Sequence, residues 1–340
     1  MTSPPPAVPE RRLGRSDLAV SALGVGLAAI GRPGYITLGR ARDLPRERTA
    51  DALWGRTAEV LDAARAAGIR YVDVARSYGR AEEFLARWLA ERTVPRTALT
   101  VGSKWGYRYT AGWAVAARVH EEKELSATRF ETQLAETRAL LGPWLDLYQI
   151  HSATADSGVL ADAALLGRLV AARRAGAYRA VGLTLSGAAS ARALDLALAA
   201  WFDGEPVFDV VQATFNCLEP SLGPALARAH EAGLGVIVKE AFANGRLTDA
   251  NQRPDDAAMV ATLRRRAATC GLAPDQLALA FVLEQPFVDV VLSGAATAGQ
   301  LASHVAALPA RLDDESRAAL AGLVEPPDRY WATRATLPWS

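Results

Sequence analysis

Apolar and polar positions along this chain follow two periods that alternate over nearly its whole length. From about residue 20 onward, a short β-branched or apolar run passes through a polar or glycine-containing turn into a longer Ala/Leu/Arg/Glu stretch with helical spacing. The short runs predict eight strands, over Leu23–Ala28, Ile69–Ala75, Leu99–Trp105, Leu145–His151, Ala180–Leu185, Val210–Phe215, Gly235–Lys239 and Asp289–Ser293. The stretches between them predict helices over Arg48–Ala67, Ala81–Glu91, Ser126–Leu141, Leu160–Ala175, Ala188–Trp201, Leu222–Ala232, Ala257–Cys270 and Pro274–Glu284. Gly68, Gly176 and Gly233 stand where three of these helices should stop in a left-handed cap.

Strands that alternate with helices pair in parallel through crossover connections, and eight such repeats close a (β/α)8 barrel of the TIM type. The expected organisation is one barrel domain over 11–325, preceded by a proline-rich flexible tail over 1–10 and followed by a tail over 326–340 near the barrel rim. Arg11 to Val20 reads as a β-hairpin turning at Gly14–Asp17, placed to cover the barrel floor. A doubly wound open sheet is the rival architecture. Its dinucleotide fingerprint is absent, because no helical pattern begins at Gly24-Val-Gly26-Leu-Ala-Ala-Ile-Gly31.

Composition narrows the partners. The chain has 340 residues, 50% of them hydrophobic, and 38 basic against 37 acidic side chains, a formal charge of +1. That balance provides no field for nucleic acid or an anionic membrane surface. No window is apolar enough to span a bilayer, and Cys217 and Cys270 form neither a disulfide framework nor a zinc motif. The expectation is a cytoplasmic protein, monomeric or weakly homo-oligomeric, with a small molecule as partner and no metal.

Three strands end on ionisable side chains. Tyr71-Val-Asp73 leads to Tyr78-Gly79, Val101-Gly-Ser to Lys104, and Leu147-Tyr-Gln-Ile to His151. A tyrosine titrates near pH 10 and is a poor donor alone; an ammonium beside it favours the phenolate, a carboxylate holds that ammonium, and a histidine polarises or relays. Asp73, Tyr78, Lys104 and His151 supply that set at neighbouring strand ends, where barrel enzymes place their chemistry. Taken singly, each has a structural reading: a buried ion pair, a rim aromatic, a satisfied histidine. The segments Arg32–Glu47 and Gly106–Leu125 break the strand–helix rhythm beyond strand ends. The second, with Tyr107, Tyr109 and Trp113 close behind Trp105, offers Trp105 and Tyr107 as walls of a substrate pocket, or else as aromatics that pack a loop onto the barrel.

Tyr71-Val-Asp73-Val-Ala-Arg-Ser-Tyr78-Gly79-Arg-Ala-Glu82-Glu83 resembles the aldo-keto reductase signature. The likeness extends to Arg12–Gly26, to Asp146–His151 and to Val211-Gln212-Ala-Thr-Phe215-Asn216. Within the family, the long sequence between the hairpin and the first helix and Lys239-Glu-Ala-Phe in place of a more usual Pro-Leu turn suggest a bacterial branch related to sugar or aldose dehydrogenases. The resemblance implies a barrel that binds a nicotinamide cofactor across the strand ends and moves hydride to or from the carbonyl carbon of an aldehyde, ketone or sugar. Carried over by position, Tyr78 is the general acid, Lys104 paired with Asp73 lowers its pKa, and His151 orients the substrate oxygen. Thr184 and Gln212 would hold the carboxamide and Phe215 would stack on the nicotinamide. Phe242, Gly245 and Arg246, with Ser293 and Gly294, match the phosphate loops, while Gln300 and His304 match the adenosine end. Leu185 stands where the family usually has Asn, with Ser186 next to it, and Ala296 where many members have Arg. NADP(H) is therefore expected ahead of NAD(H) by a reduced margin. Two other functions stay open at this level: a cofactor-binding regulatory subunit with little turnover, and a lyase using Lys104 as a Schiff base.

Overall fold

In a computed structural model describing residues 8–340, eight parallel strands close into a barrel in chain order. They are β1 (Leu23–Gly26), β2 (Tyr71–Asp73), β3 (Thr100–Trp105), β4 (Leu145–Ala153), β5 (Ala180–Leu185), β6 (Val210–Thr214), β7 (Gly235–Lys239) and β8 (Val290–Ser293). The barrel closes where Val291, Leu292 and Ser293 pair with Leu23, Gly24 and Val25. Around it lie α1 (Arg40–Asp43), α2 (Ala50–Ala66), α3 (Ala81–Glu91), α4 (Ala127–Leu141), α5 (Ala163–Arg174), α6 (Ser190–Leu198), α7 (Gly223–Glu231), α8 (Ala257–Thr269), α9 (Pro274–Leu283), α10 (Ala298–Ala306), α11 (Asp314–Ala321) and α12 (Pro327–Ala335). Side-chain hydroxyls of Thr49, Ser126 and Thr297 cap α2, α4 and α10, each worth about 1 kcal/mol. Gly68, Gly176 and Gly233 have φ of +81°, +73° and +91°, the left-handed stops expected of them.

Successive side chains of a strand point to opposite faces, and this period of two divides the molecule. Tyr71, Leu147, Ala180, Val210, Ile237, Val290 and Leu292 fill the barrel interior together with Leu13, Leu18 and Val20 of the N-terminal hairpin. The alternate residues, among them Val72, Val101, Tyr148, Val181, Val211, Val236 and Val291, join the helices in the larger outer core. Gly24 and Gly102 leave the space that the Tyr71 ring occupies, since a Cβ on either would collide with it.

The hairpin, Glu10–Arg12 paired antiparallel with Ala19–Ser21, closes the floor. Leu13 and Leu18 are fully buried there, and burial of such a side chain stabilises by about 1.5–3 kcal/mol. Glu10, read as part of a flexible tail over 1–10, belongs to this hairpin, and residues 1–7 of that reading lie outside the described residues. The other end of the barrel is more elaborate than its sequence announced. Arg32–Glu47 contains α1, and Gly106–Leu125 contains a hairpin pairing Tyr107–Tyr109 with Glu121–Lys123. The segment read as a C-terminal tail holds α12, and beyond it Trp339 pairs with Ile36 while Ser340 and Tyr35 exchange backbone hydrogen bonds of 3.0 and 3.2 Å. Among the described residues, no helix is long and apolar enough to cross a membrane.

Candidate active site

A cavity of about 600 Å³ lies at the carboxyl ends of the strands, the rim where barrels carry ligands. At one end its walls include Tyr78, Tyr107, His151 and Gln212; at the other, Asp43, Ala296, Gln300 and His304.

Four strands build the first end. Asp73 and Lys104 are both of interior parity, both buried, and form an ion pair. Lys104 also donates to the Val74 carbonyl at 3.0 Å. The second Asp73 oxygen accepts from the Tyr71 hydroxyl at 3.0 Å, from Gln212 at 2.9 Å and from Gln149 at 3.4 Å. A carboxylate in that setting is fully compensated, as a charge removed from water must be. The Lys104 ammonium sits 4.9 Å from the Tyr78 ring centre, and the His151 ring meets Tyr78 edge-on at 5.5 Å and Tyr107 at 4.8 Å. Tyr78 is carried on a turn into α3 that requires Gly79, at φ +63° and packed against the Gly31 carbonyl.

The electrostatics of this end depart from the expectation of a lowered tyrosine pKa. Burial pushes the Tyr78 hydroxyl well above its ordinary value, and Asp73 pushes it further, so the phenol keeps its proton. Burial drives His151 well below the ordinary histidine range, and Lys104, Lys239, Arg32 and Lys123 act in the same direction. The imidazole is therefore neutral, with one N–H to donate. Its Nδ1 is buried without a hydrogen-bond partner among the described residues.

Strand parity corrects two of the sequence assignments, and an ion-pair network corrects a third. Trp105 follows the inward Lys104 and points outward, against Phe130 at 5.2 Å, so it packs α4 and lines no part of the cavity; Tyr107, on the hairpin beyond, does. Phe215 follows the inward Thr214 and also points outward, stacked on Phe281 at 5.9 Å and edge-on to Phe287 at 5.4 Å, away from any nicotinamide. Arg246 is buried beside Asp256 at 2.7 Å and Glu325 at 2.6 Å, and that ion-pair network takes it out of the phosphate-loop role. Leu185 is an outward core residue, whereas Ser186 faces the cavity.

The same parity brings in residues that motif reading passed over. Lys239, at the inward end of β7, donates to Thr214 at 2.8 Å and Ser186 at 3.1 Å, and burial pulls its pKa down to about 8. Thr214 passes the contact on to Glu240 at 2.8 Å. Burial alone would raise Glu240, but Arg334 of α12 and Lys239 hold it at about 2. Arg32, Tyr35 and Trp339 complete the wall above Tyr78. The signal for Lys239 lay in its place, a charged residue at the end of an otherwise apolar strand. Nothing local announced Arg334, which arrives from the far end of the chain, whereas Trp339 belongs to the tail expected near the rim.

The remaining candidates line the cavity. Thr184 accepts from the Ser152 amide at 2.7 Å. Phe242 stacks on His304 at 4.4 Å, and the His304 Nδ1 is 2.8 Å from the Ser293 hydroxyl. Burial lowers His304 to about 4, against the pull of Asp275. Gly245 has φ +88°, and around Gly294 a Cβ would meet nothing within 4 Å, leaving backbone open to a ligand. Gln300 donates to Asp43 at 2.9 Å and accepts from the Ala296 amide at 2.8 Å. Asp43, Asp249 and Asp275 all line the cavity. Arg40, also in the wall, is occupied by the carbonyls of Ala29, Arg32, Pro33 and Ser340.

Known proteins share this fold. The profile of the Aldo/keto reductase family matches residues 34–325. The aldo-keto reductase str7 of Strobilurus tenacellus is 25% identical, the match covering 94% of this chain and 92% of that protein. Among solved structures, the holo form of aldo-keto reductase AKR11C1 from Bacillus halodurans superposes with a TM-score of 0.72 at 22% identity, covering 94% of this chain and 97% of that one. The glycerol dehydrogenase AKR11B4 of Gluconobacter oxydans does so with 0.70 at 21%, covering 97% of each. With a family profile over most of the chain and a barrel shared end to end with these structures, the chain belongs to the aldo/keto reductase family, oxidoreductases that act on carbonyl compounds with a nicotinamide cofactor.

Proposed function

We propose that this protein reduces an aldehyde, ketone or sugar carbonyl, or oxidises the corresponding alcohol, with Tyr78 as the proton donor and NAD(H) as the preferred cofactor. The observation that carries the reading is the joint placement of a protonated, buried Tyr78, the Lys104–Asp73 ion pair beneath its ring and a neutral His151 at its edge, all at one end of a single cavity. A nicotinamide cofactor, when bound, would supply hydride to the carbonyl carbon. Negative charge then grows on the carbonyl oxygen, and Tyr78 gives that oxygen its proton. The Lys104 ammonium, fixed by Asp73, stabilises the phenolate left behind, and the His151 N–H donates to the same oxygen. Because Asp73 holds the Lys104 ammonium, the arrangement weighs against Lys104 as a Schiff-base nucleophile.

The rest of the cavity fits a dinucleotide. Gln212 spends its amide N–H on Asp73, which leaves its carbonyl oxygen for a carboxamide, beside Thr184. The unobstructed backbone at Gly294 and the first turn of α10 offer amide hydrogens to phosphate. At the far end, Asp43 beside Gln300 and Asp275 beside His304 present carboxylates and Ala296 presents a methyl group. Such a wall accepts ribose hydroxyls and repels a 2′-phosphate, which is why NAD(H) replaces the NADP(H) expected from the sequence. The test is isotopic: with 4-deuterated NADH and a panel of aldehydes and sugars, deuterium should appear on the carbinol carbon. Cofactor binding without transfer to any carbonyl would favour the regulatory-subunit reading instead.

A further inference from the structure

Arg32 is a buried cation with part of its hydrogen-bonding capacity unused. Only 2% of it is exposed, yet it lines the cavity. Its Nη1 is committed to Glu121 at 2.6 Å and the Ser77 carbonyl at 3.3 Å. Its Nε is buried with no partner among the described residues, and its Nη2 makes no hydrogen bond there either. A buried donor left unsatisfied is costly, more so when it carries charge, unless a ligand completes it. The guanidinium is held in place by three rings, its central carbon lying 5.0 Å from Tyr35, 5.2 Å from Tyr78 and 5.2 Å from Trp339. The free Nε–Nη2 edge is the two-pronged donor that matches a planar carboxylate.

Charge at this end agrees. Arg32, Lys104, Lys123, Lys239 and Arg334 face Asp73, Glu121 and Glu240. Three of the cations are paired, Arg32 with Glu121, Lys104 with Asp73 and Arg334 with Glu240. Lys123 donates to the Ser152 carbonyl at 2.7 Å and Lys239 to two hydroxyls, neither with a carboxylate in ion-pair contact among the described residues. Two positive charges are thus in excess beside His151. An incoming anion is drawn to this end of the cavity, while the acidic far end repels it.

We propose that the substrate carries a carboxylate as well as its carbonyl, and that the open edge of Arg32 receives this carboxylate above Tyr78. The inference rests on the reading of the cavity as a carbonyl-reducing site, and it makes Arg32 a substrate-binding residue that sets specificity.

The kinetic test compares 4-carboxybenzaldehyde with its neutral methyl ester, methyl 4-formylbenzoate, on the full chain with NADH. The wild type should prefer the acid at least tenfold in kcat/KM, and in Arg32→Gln that ratio should collapse toward one. Arg32→Lys, which keeps the charge but loses the fork, should fall between them. Circular dichroism and thermal melting identify a variant that fails to fold. A binding test on the wild type then stands independently of turnover and of any variant: titration calorimetry with benzoate and with benzamide, at saturating NADH. Benzoate should bind at least tenfold more tightly. Equal affinities for benzoate and benzamide, or an acid-to-ester ratio near one in the wild type, would overturn the proposal. So would an Arg32→Gln protein that keeps its acid preference, or one that loses NADH affinity instead, because Arg32 would then be serving the cofactor diphosphate. Failure to turn over any aldehyde, with benzoate still preferred, would count against the carbonyl-reducing reading and leave the anion site standing.

Discussion

The two ends of the one cavity are built on opposite principles. Around Tyr78 the side chains are large, aromatic and cationic, and buried ion pairs hold charges in place, Lys104 by Asp73 and Glu240 by Arg334. Around Gly294 the wall carries Ala295, Ala296, Gln300, His304 and carboxylates, and the backbone at Gly294 is unobstructed. The first end spends buried charge on holding specific atoms in place, which is what proton transfer needs. The second leaves space and open backbone, which suits a long, flexible cofactor, and on the proposed reading its carboxylates favour NAD(H). Chemistry and cofactor choice are thus separable by mutation.

The largest expected break in this division is Lys104→Met. Steady-state assays should show carbonyl reduction falling by about 10²–10⁴-fold, while fluorescence titration finds NADH affinity nearly unchanged. A proportionate loss of NADH affinity would mean that the two ends are coupled.

A smaller effect belongs to the far end and to stability. His304 is held neutral at about 4 in the fold against an ordinary value of 6.5. The unfolded chain therefore binds the proton first, and the stability that the buried neutral ring provides is complete above pH 6.5 and lost as pH falls toward 4. Denaturation midpoints should show a loss on the order of 1–3 kcal/mol over that window, reduced in His304→Gln, and an unchanged slope in the variant would assign the loss elsewhere. Smaller again is Ala296→Arg, which should raise NADPH binding relative to NADH by about tenfold, the worth of one charge-assisted hydrogen bond. An unchanged ratio would place recognition of the adenosine end at another residue.

How much of this was legible in the sequence depended on whether a residue's role is set locally. Strand–helix alternation, the floor hairpin and the caps at Gly68, Gly176 and Gly233 were readable because each depends on a few neighbouring residues. The boundaries of Ala180–Leu185 and Gly235–Lys239 coincide with the reading, because both are apolar runs ended by a change of residue type. Trp105 and Phe215 were misplaced because a motif gives position along the chain, whereas the face depends on counting alternate residues from Lys104 and Gln212. Arg246 was misplaced because its partner Glu325 lies 79 residues away. Residues 326–340 read as a tail, since the periodicity of α12 is short and its partners, Glu240 and Asn216, belong to the rim. The acidic far end escaped notice because Asp43 and Asp275 come from separate segments that the closed barrel brings beside Gln300 and His304.

The central claim is that one end of the cavity performs proton transfer while the other binds the cofactor, and Tyr78→Phe tests it most directly because the change removes a single oxygen. NADH titration and single-turnover reduction of an aldehyde should be measured on the same sample. The account predicts an NADH dissociation constant within about twofold of wild type, since Tyr78 makes no cofactor-binding contact in this division, together with hydride transfer slowed by at least about 10³-fold. Turnover at a wild-type rate would contradict it.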